Sequence, residues 1–123
     1  MNNKALIMDD SPGLADALSE WFKAKGYEAD GVMTVAEAER RIMGESYDIV
    51  VLDLVMGDGE TAVDLIAKHD MNGSRIVLMT GYPDHKLIDV AISMSDYVLF
   101  KPLHYKALSH IIDEVKLCKE SSD

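Results

Sequence analysis

The chain has 123 residues, 48% hydrophobic and 28% charged, which suits one globular domain with a single core and is too short for two. A formal charge of −10 argues against direct, non-specific contact with nucleic acid, whose phosphates it would repel, and permits cations and basic partners. No apolar run nears the roughly 20 residues a bilayer demands, and the opening MNNKALIMDD lacks a long signal-type apolar segment, so a soluble cytoplasmic chain with no membrane partner is expected.

In chain order, the first element is an apolar strand, ALIM at 5–8, which runs straight into the adjacent carboxylates Asp9 and Asp10. Ser11 is placed to cap a helix with Pro12 at its first position; Leu14, Leu18 and Trp21 recur at helical spacing until Gly26. YEADGV is the weakest strand candidate. Thr34 with Glu37 fits a capping box, and the helix behind it carries Val35, Ala38 and Ile42 and ends at Gly44. A third strand, DIVVL at 48–52, precedes a helix from about Glu60 to His69 with Ala62, Leu65 and Ile66 inward. RIVLM at 75–79 is the fourth strand, followed by a helix from near Asp84 that turns Leu87, Ile88, Ala91 and Ile92 inward. YVLF at 97–100 is the fifth, and a last helix after His104 buries Leu108, Ile111, Ile112 and Val115. Continuous apolar runs of this kind suit strands covered on both faces. The pattern predicts an α/β doubly wound sheet, five parallel strands alternating with five helices through right-handed crossovers. One domain spans 1–123, with a frayed tail from about 119.

In such a sheet ligands bind beyond the carboxyl ends of the strands. That edge collects Asp9 and Asp10 from the first strand, Asp53 from the third, Thr80 from the fourth, and Lys101 followed by Pro102 from the fifth. Three converging carboxylates would repel one another and raise at least one pKa unless they shared a cation, and oxygen-only ligands in a small acidic cluster suit Mg²⁺. Lys101 and Thr80 add an ammonium and a hydroxyl suited to a many-oxygen anion such as a phosphoryl group. A carboxylate can itself be the nucleophile, and Asp53 sits between the acidic pair and the Lys/Thr side.

These residues resemble the response-regulator receiver domains of two-component signalling, a family with the flavodoxin-like fold and strand order 2-1-3-4-5. The likeness covers nearly the whole chain and rests on MDD, LDLVMGDGE, MTGY and KPL after strands one, three, four and five. It implies that Asp53 accepts a phosphoryl group from a sensor histidine kinase or histidine phosphotransfer protein. It further implies that Asp9, Asp10, Asp53 and the backbone carbonyl of Val55 hold Mg²⁺, and that Lys101 and Thr80 contact the phosphoryl group. The Lys101–Pro102 bond would be cis, where X-Pro statistics alone favour trans. Thr80 would relay the change to a downstream protein or a second copy of the chain. Such a domain is a phosphoacceptor that catalyses its own phosphorylation and dephosphorylation, not an enzyme with an outside substrate.

The sequence departs from the family in several places. Gly57 stands where a proline is common and Thr61 where a glycine is common; the interval from Thr80 to Lys101 is one residue short. The aromatic switch position falls on Val98 with Tyr97 one place earlier, so the switch pairs Thr80 with Tyr97 or Val98. That departure supports the rival reading, a pseudo-receiver acting as a constitutive interaction module. A flavodoxin-like cofactor binder would want a Gly/Ser/Thr-rich phosphate loop in place of DDSPG, and a Mg²⁺-dependent phosphatase a D-x-D where Asp53-Leu54-Val55 stands.

Other side chains read as structural. The four histidines, His69, His85, His104 and His110, are expected on the surface; Cys118 is an inert thiol; Asp58, Glu60, Asp64 and Asp70 are a solvated face. Trp21 and Phe22 are core and half-buried surface, and the methionines fill core gaps. Tyr82, two residues after Thr80, is placed either to shield the phosphoryl site or simply in an exposed loop.

Overall fold

A computed structural model describes the backbone of residues 3–71 and 73–121 and, beyond position 117, no side chains. Five strands and five helices alternate: β1 (Asn3–Met8), α1 (Pro12–Ala24), β2 (Tyr27–Val32), α2 (Val35–Gly44), β3 (Ile49–Asp53), α3 (Ala62–Lys68), β4 (Arg75–Thr80), α4 (Ile88–Met94), β5 (Tyr97–Phe100) and α5 (Tyr105–Ser121). All strand pairs are parallel, in the order β2-β1-β3-β4-β5, as expected from the sequence. The Cys118 side chain lies outside the described residues, as do positions 122 and 123 of the expected tail.

The side-chain period of two divides the core into two layers. Leu6, Met8, Val50, Leu52 and Leu78 face α2, α3 and α4, meeting Ala38, Ile42, Leu65 and Ala91. Ala5, Ile7, Val51 and Val77 face α1 and α5, meeting Leu18, Phe22, Leu108 and Ile112. Burying a Leu or Phe side chain contributes about 2 kcal/mol, so each face holds its helices chiefly through these contacts. Trp21 is half-buried and Phe22 fully buried.

Capping holds where the side chains allow it. Thr34 accepts from the Glu37 N–H, one half of the expected capping box, while the Glu37 carboxylate accepts from the Thr34 hydroxyl, and Thr61 accepts from the Asp64 N–H to start α3 two residues later than Glu60. Ser11 makes no side-chain cap; the Leu14 and Ala15 N–H groups donate to its backbone carbonyl, and its own N–H donates to Asp9 Oδ1.

Expectation fails along the outer edge. Helix α4 begins at Ile88, four residues after Asp84, because the chain from Tyr82 forms successive turns, with His85 N–H donating to Tyr82 O and Ile88 N–H to His85 O. Only Ala91 of that short helix is buried, while Leu87 and Ile88 are half-buried and Ile92 is 55% exposed, because a seven-residue helix against an edge strand covers one narrow stripe. Strand β5 itself is not covered on both faces: Tyr97, Val98 and Leu99 are half-buried and Phe100 is exposed.

Candidate functional site

Strand order reverses between β1 and β3, so the crevice for a ligand opens beyond their carboxyl ends. The register pairs Met8 with Leu52, which brings Asp9 beside Asp53 one step further on. It pairs Thr80 with Phe100, and Lys101 N–H donates to Thr80 O, extending the ladder by one bond and delivering the lysine to the same edge.

Asp9, Asp10 and Asp53 each offer an oxygen, all within 4.8 Å of one another. Lys101 Nζ donates to Asp9 Oδ2 at 2.7 Å and to Asp53 Oδ2 at 3.3 Å. Asp9 is fully buried, and its other oxygen accepts from the Ser11 N–H at 2.8 Å. Asp10 is exposed and accepts from the Gly57 N–H. Asp10, Asp53 and Lys101 line an open cleft of about 700 Å³ with Val55, Tyr82 and His85, and Asp9 lies beneath it.

Electrostatics follow from that crowding. Burial, the largest effect, and the Asp9 charge push the Asp53 carboxyl from 3.8 to about 6, against the pull of Lys101 and of the Val55 N–H. Burial works to lower Lys101, but its bonds to Asp9 and Asp53 and their charges outweigh it, so its pKa is raised and the ammonium is firmly charged. One ammonium against three carboxylates leaves two negative charges uncompensated at neutral pH, a donor set and a charge that fit one divalent cation.

The remaining expected residues fall as follows. Thr80 is buried, and its Oγ1 accepts from the Tyr82 N–H at 3.0 Å; the Tyr82 ring is 62% exposed at the rim. The Lys101–Pro102 peptide bond is cis. Val98 and Ile88 are half-buried against the layer that contains Leu78 and Ala91, the face to which alternation also assigns Thr80. Tyr97 packs on the opposite layer, and its hydroxyl donates to Glu114 on α5.

Two groups at the cleft escaped the sequence reading. His85, expected on the surface, is half-buried and uses ring Nδ1 to accept from the Leu87 N–H. The Gly57 N–H, which reaches a carboxylate 47 positions away, has no sequence signal beyond a glycine in an acidic loop. His69 is also half-buried, paired with Glu39 at 2.8 Å, and does not line the cleft.

Residues 5–113 match the response regulator receiver domain family. The regulatory protein VanR of Enterococcus faecium is 28% identical over 108 residues, which cover 84% of this chain and 46% of that protein, so the chain spans about half the length of this relative. The sporulation initiation phosphotransferase F of Bacillus subtilis is 28% identical over 90 residues, 72% of each chain. The solved CheY-like receiver domain of Methylobacillus flagellatus superposes with a TM-score of 0.80 at 25% identity, covering 94% of this chain and 99% of that one. The fold and the edge constellation define a two-component signalling module, and the chain belongs to the response regulator receiver domain family. Among the described residues no helix is long and apolar enough to cross a membrane.

Proposed function

We propose that Asp53 is the phosphoacceptor of a Mg²⁺-dependent phosphorylation switch. The observation that carries this reading is the cluster of three carboxylates within 4.8 Å, two of them hydrogen-bonded to Lys101, at the carboxyl edge of β1, β3 and β5. Asp10, Asp53 and the Val55 carbonyl would hold the ion with Asp9, whose two occupied oxygens each keep a second lone pair. Bound there, Mg²⁺ supplies charge neutralisation and lets the carboxylates coexist.

The chain's own residues do the rest. An Asp53 oxygen attacks the phosphorus of a phosphohistidine on a sensor kinase or phosphotransfer protein; the new O–P bond forms as the P–N bond breaks, and the imidazole leaves with the electron pair. Lys101 stands 3.3 Å from an Asp53 oxygen, within reach of phosphoryl oxygens built on that carboxylate. The buried Thr80 hydroxyl, already the acceptor for the Tyr82 N–H, would give up that arrangement to donate to the phosphoryl group. This movement, passed to α4 and β5, would change binding to a downstream protein or a second copy. Catalysis is then mostly positioning and charge stabilisation.

The test is incubation with acetyl phosphate and Mg²⁺ followed by intact-mass measurement. One added phosphoryl group is expected, absent without Mg²⁺ and absent in Asp53→Asn. Phosphate accepted by Asp53→Asn overturns the assignment, and no incorporation, with no amide NMR change on adding beryllofluoride and Mg²⁺, favours the constitutive interaction module.

A further inference from the structure

One oxygen of Asp10, Oδ2, already accepts a hydrogen bond from the Gly57 N–H at 2.6 Å, while Oδ1 keeps both lone pairs for a cation. That is short for an N–H···O bond. A carboxylate held at one oxygen has its plane set and keeps its second oxygen for a metal, as partners behind metal ligands commonly arrange.

The β3–α3 loop is built to aim this N–H. Val55 and Thr61 bridge its two ends, Met56 N–H donates to Glu60 O at 2.8 Å, and Gly59 N–H donates to Met56 O at 2.9 Å. Gly59 takes a φ of +90°, a conformation that favours glycine, and so closes the turn. Gly57 is therefore fixed from both sides. A Cβ built on Gly57 would lie 2.6 Å from the same Asp10 Oδ2 and 3.8 Å from Asp10 Cγ, and among the described residues it would meet nothing else within 4 Å beyond its chain neighbours. The Gly57 backbone lies outside the left-handed region, so a side chain there is opposed by the Asp10 carboxylate alone.

We propose that the Gly57 N–H is a positioning group for the metal site, orienting the Asp10 carboxylate, and that position 57 is glycine so that this approach is possible. The proposal rests on the Mg²⁺ reading above. It adds to the Val55 carbonyl a second backbone group of the loop after β3, one that a proline could not supply.

Mg²⁺ titration of the full chain followed by amide NMR tests it, in the wild type, Gly57→Ala, Gly57→Pro and the control Gly44→Ala, whose added Cβ meets nothing within 4 Å. Because the obstructing atom is the end of a flexible side chain, Gly57→Ala folds with an unchanged far-UV spectrum. Its Mg²⁺ Kd rises about tenfold, the usual scale for losing an orienting partner, while Gly44→Ala matches the wild type and Gly57→Pro is weaker than Gly57→Ala. Wild-type affinity in Gly57→Ala overturns the positioning role. A wild type that does not respond to Mg²⁺ overturns the metal reading and this inference with it. Independently of metal, the Gly57 amide proton exchanges faster in Asp10→Ala than in the wild type; equal rates mean the bond is not made and overturn the proposal.

Discussion

The carboxyl edge of β1 and β3 and the outer edge formed by β5 and α4 are built on opposite terms. At the first, every residue of β3 is buried, Asp9 is wholly enclosed, and its two oxygens are each committed to a donor. At the second, no residue of β5 is buried, and α4 buries Ala91 alone. Charged groups that must meet within a few ångströms need rigid strands, whereas a segment that changes its packing must come from the weakly held part of the fold. Under the proposed switch, the contrast would put chemistry at the centre of the sheet and readout at its edge.

Removing Lys101 should break the centre most severely. Lys101→Ala strands the enclosed Asp9 beside Asp53 without a cation, and a loss of about 3–5 kcal/mol in urea unfolding is expected. Mg²⁺ should recover part of that loss by supplying positive charge to the same carboxylates. A loss below about 1 kcal/mol would show that solvent, not Lys101, compensates Asp9. The next test compares the two regions directly: Leu78→Ala, at a fully buried position of β4, should cost about 3 kcal/mol, and Leu99→Ala, half-buried in β5, about 1. Equal costs would erase the contrast.

The site's strain should appear with the opposite sign. Asp53 titrates near 6 in the folded chain and near 3.8 when unfolded, so the folded state holds the extra proton between those values. The contribution of this carboxyl to stability is therefore fully present below pH 3.8, declines as pH rises to about 6 and is constant above. A rise of about two pH units corresponds to at most about 3 kcal/mol, which solvent in the open cleft reduces to about 1–2. Asp53→Asn should thus be more stable than the wild type at pH 7 by about 1–2 kcal/mol, and the gain should vanish at pH 4. Equal melting temperatures at pH 7 would mean that Lys101 already neutralises the burden. Because a ligand carboxylate must be deprotonated, Mg²⁺ affinity should also fall as pH drops through about 6.

Legibility in the sequence followed the same division. Apolar runs at β1, β3 and β4 are long enough to read, and their ends point to Asp9, Asp10, Asp53 and Thr80, since strand ends define the edge. The pattern puts the start of α4 near Asp84, too early, because the turns from Tyr82 to Ile88 rest on backbone hydrogen bonds without a periodic side-chain signal. Ile92 looked buried because helical spacing marks a stripe without saying how wide a neighbour covers it. The Gly57 contact was invisible for a different reason: it joins a backbone donor to a residue 47 positions away, and no local pattern encodes it.

The smallest expected effect concerns Tyr97 and decides what the edge reads out. Alternation along β5 puts Val98 on the layer of Ala91 and Ile88 and puts Tyr97 on the layer of α1 and α5, where its hydroxyl is tied to Glu114. That bond, with burial, pushes the Tyr97 phenol up to about 12, so the hydroxyl remains a donor through the physiological range. For Tyr97 to pair with Thr80, the strand would have to slip by one residue, which would carry Leu99 and Phe100 to the wrong faces. Tyr97→Phe should therefore cost only about 0.5–1 kcal/mol, as loss of one partly exposed hydrogen bond does, and should leave the beryllofluoride-induced amide shifts of α4 intact. Val98→Ala, which loosens the layer against which Ile88 also packs, should alter those shifts while costing about 1 kcal/mol. If Tyr97→Phe instead abolishes the α4 response, the ring leaves Glu114 on activation and crosses to the Thr80 face, and the outer edge rearranges far more than its packing implies.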